Sequence, residues 1–334
     1  MQAVSTELER PLPAARRMDP REFFTSEEWA GLAVRSSWRG LALVVHAWGV
    51  ILLAGAAFVL WPNPLTFVLA VAVIGARQLG LAVLMHDAAH AALHRSLKVN
   101  DFVGEWLCGA PVGASLHRYR PYHLTHHRFA QQPEDPDLVL SAPFPITRTS
   151  LRRKIVRDLT GQTFWKQRIA PTLAALKTRK ARGLTWGQVG RGLWDFWGPF
   201  AITNGIALAG LSLFGLGWAW FALWLLPMAT WYPLVTRLRN IAEHACVSDN
   251  DDPLRHARTT RASLIERAFI APYWVNYHVE HHMFMHLPCW RLARAHAILR
   301  AKGVGRRMET KPSYAAVLKL AAGKPERAAA PAAA

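Results

Sequence analysis

The chemistry in this chain is carried by histidine. Asn276-Tyr-His-Val-Glu-His-His282 places His278, His281 and His282 at i, i+3 and i+4. On a helix those positions share one face, so three imidazoles point at one place. The same spacing occurs far upstream in His123-Leu-Thr-His126-His127, and His86-Asp-Ala-Ala-His90 carries the plain i, i+4 form. Two triplets and a pair with helical spacing are ligand sets for more than one transition metal. Neutral imidazole binds Fe, Zn, Cu and Ni at pH 7. A structural zinc site takes four ligands and usually recruits cysteine, whereas Cys108, Cys246 and Cys289 lie outside the clusters and form no CxxC pair. The histidine excess suits two metal ions with about four or five ligands each. Such a shell, beside apolar segments, suits a redox metal that activates oxygen next to a lipid. The residues alone leave iron, copper and zinc open.

The elements that must position these histidines are apolar helices. The 334 residues are 51% hydrophobic, and the apolar residues gather in two long blocks, which favours a membrane protein over a soluble one. The 15 Trp residues agree, since Trp is enriched where spans meet headgroups. Each block reads as a pair of crossings, at about 41–60 and 65–85, then at about 197–214 and 218–234. The turns Trp61-Pro-Asn-Pro64 and Gly215-Leu-Gly217 carry no Lys or Arg, and the remaining segments carry nearly all of the +18 net charge. The positive-inside rule therefore places the N-terminal segment, the central segment and the C-terminal segment in the cytoplasm, with all three histidine clusters on that side. The expected fold is an all-α integral membrane protein: four transmembrane helices under a cytoplasmic helical cap that holds a histidine-rich di-metal site.

Residues 1–38 read as a cytoplasmic tail with a short interfacial helix, Phe23, Phe24 and Trp29 lying along the membrane surface. Residues 39–314 form the body, and the alanine-rich stretch 315–334 reads as disordered. No signal peptide opens the chain: Met1 to Met18 holds Glu7, Glu9 and two prolines, with no apolar core. Arg77 and Gln78, inside the second span, face the protein interior or a substrate path. His46 is a packing residue of the first span. The Asp135-Pro-Asp137 turn places carboxylates where they can orient ligand histidines. His256 and His296 read as surface residues. No zinc-finger spacing or aromatic RNA-binding signature accompanies the basic charge, so nucleic acid is not an expected partner.

The set HxxxH, HxxHH and HxxHH, with paired spans between the second and third boxes, resembles the membrane fatty acid desaturase family, whose relatives include fatty acyl hydroxylases, alkane hydroxylases and carotenoid ketolases. The resemblance runs from about Leu41 to His296. Asn276-Tyr-His-Val-Glu-His-His282 is similar to the family's third box, and Arg239-Asn-Ile-Ala-Glu-His244 to the Asn and His that precede it. The resemblance implies a non-haem di-iron centre with His86, His90, His123, His126, His127, His244, His278, His281 and His282 as ligands, Asn240 contributing directly or through a water. It also implies O2-dependent removal of two hydrogens from a fatty acyl lipid, in a bacterial inner membrane, by two ferrous ions. Hydroxylation or ketolation of a lipid is the alternative. The sequence holds no His-Pro-Gly-Gly haem motif, nucleotide-binding glycine loop or ferredoxin cysteines, so electrons are expected from an external ferredoxin or cytochrome b5 type donor. The chain departs from the family pattern at His94, His117 and His286, and in reading Met283-Phe-Met-His-Leu-Pro288 after the third box. His94 is expected to be an ordinary polar residue of the His90 face, and His286 a supporting or surface residue.

A metal transporter or haem protein would carry ligands inside its spans, near the midplane; these boxes lie at span ends and beyond. Replacing His281 removes a ligand and touches no span. His281→Ala is therefore expected to abolish turnover while membrane insertion, followed by fractionation, stays at wild-type level. Retained turnover would remove His281 from the metal site.

Overall fold

The computed structural model describes residues 18–325, almost all in helices and the turns between them. Three helices are long and apolar enough to cross a membrane: Arg39–Leu60, Pro64–Ala89 and Trp186–Leu213. The first two form a hairpin. Its tight return is set by Asn63, whose side-chain oxygen accepts from the backbone N–H groups of Leu65 at 3.0 Å and Thr66 at 3.1 Å, while Pro64 opens the second helix. This cap satisfies donors that a helix start leaves orphaned. Val45, Leu52, Leu53, Leu65, Val68, Ile206 and Leu213 stay exposed on the outer faces of these helices, a large apolar surface for which lipid is the natural solvent.

The second helix is the spine of the molecule. From Ile74 to Ala89 nearly every residue is buried. Small residues let large neighbours close in: a Cβ on Gly75 would lie 2.7 Å from Trp231 Cβ, and one on Gly80 would lie 2.8 Å from the Tyr273 ring. Arg77 and Gln78 face the interior. Arg77 donates to the Ala268 carbonyl, and Gln78 Nε2 donates to the Trp224 carbonyl at 2.8 Å. His46 packs as expected, its Nδ1 3.0 Å from the Tyr273 hydroxyl. The helix runs beyond the expected end at residue 85, so His86 lies in its last turn and His90 at its C-cap.

The second apolar block differs from the expected pair of crossings. Trp186–Leu213 is one long helix. The stretch expected at 218–234 is broken into Gly217–Ala219, a wide π turn at Trp220–Leu225 and a short helix Leu226–Ala229. The chain then breaks at Thr230 and starts a new helix, Trp231–His244. Pro227 and Pro233 are the physical reason: each lacks a backbone N–H and interrupts the ladder.

The histidine-bearing helices sit against the end of the spine. Leu116–Phe129 carries the second box and is pinned by Arg120, which donates to the Ala88 and Ala89 carbonyls at 3.0 Å each and pairs with Asp101 at 2.5 Å. Glu105 caps its start, accepting from Leu116 N–H at 2.6 Å. Trp231–His244 is tied to the Arg148–Leu159 helix by Arg237 and the buried Asp158, at 2.5 Å. The third box forms the short helix His278–Met283. A parallel pair of two-residue strands, Thr259–Thr260 with Thr310–Lys311, supports it from behind, a small departure from an all-helical fold.

Two terminal expectations change. Phe23 and Phe24 are buried rather than laid on the membrane: Phe24 packs on Trp29 and on Phe284, at ring distances of 5.7 and 5.2 Å. An aromatic cluster beside the third box gives these rings a drier partner than the interface does. Where a disordered tail was expected from residue 315, Tyr314–Ala321 is a helix with Tyr314, Val317 and Ala321 buried. Alanine is the best helix former, and the apolar residues share one face. Residues 1–17 and 326–334 of the expected tails lie outside the described residues.

Gly104 brings the second-box region against the spine: a Cβ there would lie 2.5 Å from the Ala88 Cβ. Gly104→Ala is expected to destabilise the fold by about 1–3 kcal/mol through overpacking. Gly190→Ala, with nothing within 4 Å, should stay within about 0.5 kcal/mol of wild type. Thermal unfolding in detergent reads both, and equal midpoints for the two variants would contradict this packing.

Candidate metal centre

Each histidine box arrives on a different helix, and the helices converge. The end of the spine brings His86 and His90, Leu116–Phe129 brings His123, His126 and His127, Trp231–His244 brings His244, and His278–Met283 brings His278, His281 and His282. Their ring nitrogens form two groups. One holds His86, His90, His123, His127 and His281; the other holds His126, His244, His278 and His282; within each group the donor atoms lie within 4.8 Å of one another. The groups are adjacent, the His127 and His282 rings stacking at 4.3 Å. Both therefore mix residues from the second and third boxes.

The nitrogens face one another. His127 Nε2 is 3.0 Å from His123 Nε2 and 2.9 Å from His281 Nε2; His278 Nε2 is 2.9 Å from His244 Nε2 and 3.2 Å from His282 Nε2. An ion about 2.1 Å from each of two neighbouring imidazole nitrogens places them roughly 3 Å apart. His86 Nε2 and both nitrogens of His90 are buried with no hydrogen-bond partner, which is costly unless a metal takes their lone pairs. The donor set fits metal ions.

Burial, followed by the charge of neighbouring groups, holds the pKa values of His123, His127, His244, His278, His281 and His282 well below the ordinary histidine value. These rings are neutral at pH 7 and ready to coordinate. Their outer nitrogens are oriented where the surrounding fold supplies acceptors. His126 Nδ1 lies 2.8 Å from Asp135 Oδ1, a buried carboxylate that also accepts from the Gln131 and Asp137 backbone N–H groups. His244 Nδ1 donates to the His256 carbonyl at 3.2 Å, turning Nε2 inward. The Asp135 turn thus places a carboxylate against a histidine of the second box.

Behind the third box, Thr259 Oγ1 donates to Glu280 Oε2 at 2.5 Å and accepts from Val279 N–H at 3.2 Å. Glu280 also pairs with His296. His296 is thus a half-buried support of the third box and not the surface residue expected. His256 also departs from expectation: it is only 3% exposed, its ring centroid lies 5.3 Å from that of His282, and burial pushes its pKa down to about 4. Both were misplaced because the chain around them is polar, while long-range packing decides burial.

Asn240 stands beside the second group. Its side-chain oxygen accepts from Arg239 at 3.4 Å, on the wall of a small cavity shared with His126, His244 and His278. Glu243 lines the same cavity, its Oε2 3.5 Å from His278 Nε2 and its Oε1 held by Arg239 at 2.5 Å. Burial, opposed by Arg239, pushes the Glu243 carboxyl up to about 7. Its place directly before His244 was the available signal. His94 is outside both groups, with Nε2 2.9 Å from the Ser37 carbonyl and Nδ1 accepting from Ser96 N–H at 3.0 Å. His117 is exposed. His286, also exposed, has Nδ1 3.2 Å from the His90 carbonyl.

Comparison with known proteins agrees with this geometry. The fatty acid desaturase family model matches residues 60–310. The chain is 28% identical to the dihydrorhizobitoxine desaturase of Bradyrhizobium elkanii over 69% of this chain and 66% of that protein. It is 27% identical to the beta-carotene ketolase of Paracoccus sp. (strain PC1) over 75% of this chain and 86% of the relative. It is 20% identical to the delta 8-(E)-sphingolipid desaturase of Komagataella phaffii over 69% of this chain but 48% of that protein. With its three long apolar helices, its two buried histidine groups and a match over most of its length, the chain belongs to the fatty acid desaturase family, oxidoreductases of the membrane di-iron desaturase and hydroxylase superfamily.

Proposed function

We propose that this protein is a membrane-bound di-iron desaturase of an acyl lipid, with one iron held by His86, His90, His123, His127 and His281 and the other by His126, His244, His278 and His282. The observation that carries this reading is the pair of adjacent, buried imidazole groups in a member of this family. Asn240, directly or through a water, and Glu243 are the oxygen donors beside the second group.

Two ferrous ions, with dioxygen, supply an oxidant strong enough to take hydrogen from an unactivated C–H bond. The chain's own part is binding, orientation and exclusion of water. Asp135 and the His256 carbonyl fix ring orientation from outside. The cage is closed on one side by Val83 of the spine with Tyr273, Val275 and Leu292, which surround His86, His278 and His281 in a nearly filled space. Electrons come from a separate ferredoxin or cytochrome b5 type donor.

Topology follows from the same convergence. Residues of the second and third boxes share both groups, so the chain returns to one side of the membrane between His127 and His244. Trp186–Leu213 supplies one crossing. The broken segment at 217–234 supplies the return, which makes four crossings with the boxes at the cytoplasmic face of a bacterial inner membrane. The basic charge of the flanking segments supports that orientation.

The long match to a beta-carotene ketolase, over 86% of that relative, favours oxygen insertion as a second reading. Mass spectrometry of lipids from a host with and without the chain separates the two: loss of two hydrogens is expected, and gain of oxygen would place the protein with the hydroxylases. A product in neither class would contradict both. Asp135→Asn should leave the fold intact and weaken iron binding at the second group by roughly 10–100-fold, since His126 loses its charged acceptor. Iron titration of the purified protein reads this, and unchanged affinity at both sites would remove Asp135 from the support of the centre.

A further inference from the structure

A cavity of about 490 Å³ reaches His127 of one group and His282 of the other. It is thus aimed at the junction between the two proposed metals, where a reacting carbon must lie. Its outer wall is built from Met18, Trp29, Leu124, Phe284 and Met285, and no residue of the three long apolar helices lines it. The size and the mixture of thioether, aromatic and aliphatic walls suit a lipid-like chain. Arg128 and His286 also line it and are exposed, whereas a third polar wall residue is buried. His256 lines the same cavity, is 3% exposed, and neither of its ring nitrogens has a hydrogen-bond partner. His256 also stands apart from both groups of converging nitrogens.

A buried imidazole with two open nitrogens needs polar partners. A plain hydrocarbon in the cavity would leave it unpaired at a cost in binding. We propose that this cavity seats the reacting part of the substrate and that His256 hydrogen-bonds an oxygen the substrate carries close to the reacting carbon, such as a hydroxyl, ether or carbonyl. The inference rests on the desaturase reading and narrows it. The preferred substrate is a chain with a polar atom beside the site of oxidation, and its access route opens between the N-terminal segment and the third box. His256 is then a specificity-determining residue that touches substrate.

The test uses the purified full chain loaded with iron, labelled with a stearic acid that carries a mid-chain diazirine. Competitors are stearic acid and a set of keto-stearic acids with the carbonyl moved along the chain. Photo-adducts are expected on Trp29, Leu124 and residues 283–285. One keto isomer should compete roughly tenfold better than stearic acid, the worth of a hydrogen bond in a buried site. His256→Phe should bring that ratio to within about twofold of unity, and His256→Gln should restore part of it. Both variants should keep the wild-type iron content; if the Phe variant does not fold, the Gln variant alone must show a reduced ratio. Four results would overturn the inference: adducts confined to other walls or no adduct at all, no keto isomer preferred by the wild type, a preference unmoved by the substitutions, or loss of one iron in a folded variant, which would make His256 a ligand. Any of these, in a protein that still binds two irons and alters host lipids, leaves the desaturase reading standing. A wild type that binds no iron defeats that reading instead.

Discussion

Everything in this molecule answers to one constraint: nine imidazoles are packed so that their nitrogens confront one another in a space from which water is largely excluded. A facing pair can share one proton, but five or four rings with converging nitrogens cannot all be satisfied that way. Protonation is no escape, because burial and neighbouring positive charge hold most of these rings neutral. The arrangement is paid for elsewhere in the fold and becomes favourable when metal ions accept the lone pairs.

The means of holding it are visible in the backbone. Among the described residues, the non-glycine positions with positive φ are Ala91, Gln131, Cys246, Tyr273 and Trp274. Each sits within a few residues of a histidine box, and such conformations cost on the order of 1–3 kcal/mol each. They bend the chain sharply after the first box, after the second, after His244 and before the third. Fully buried side chains lock these bends. Arg258 donates to the Ala245 carbonyl at 2.7 Å and the Cys246 carbonyl at 2.6 Å, and pairs with Glu309 at 3.1 Å. Asp87, between the two histidines of the first box, accepts from Cys289 N–H at 2.9 Å and so ties the first box to the segment after the third. The same elements that carry the histidines also carry the ties between them.

Much of the metal centre was legible because helical spacing is a local property. The i, i+3, i+4 pattern needs no tertiary knowledge, and every histidine of the three boxes, with His244, lies in one of the two groups. Their division between groups was not legible, since it depends on how four helices meet. His126 and His127 are neighbours in sequence yet belong to different groups. Glu243 shows the same limit: spacing pointed to Asn240 and His244 at i, i+4, whereas the fold also brings the Glu243 carboxylate to 3.5 Å from His278. The long spans are readable from apolar runs, but hydropathy is blind to the breaks that Pro227 and Pro233 put into the last apolar stretch. His256, His296 and the Tyr314–Ala321 helix were read as exposed or disordered because their local sequence is polar or repetitive, while contacts from distant segments bury them.

The central claim is that two metal ions occupy two histidine groups held side by side. X-ray absorption on the purified, iron-reconstituted protein, combined with elemental analysis, addresses it directly. Two irons per chain are expected, each in a shell of nitrogen and oxygen donors with the multiple-scattering pattern of imidazole and no sulfur. A single iron per chain, a sulfur-containing shell, or a spectrum without imidazole scattering would contradict it.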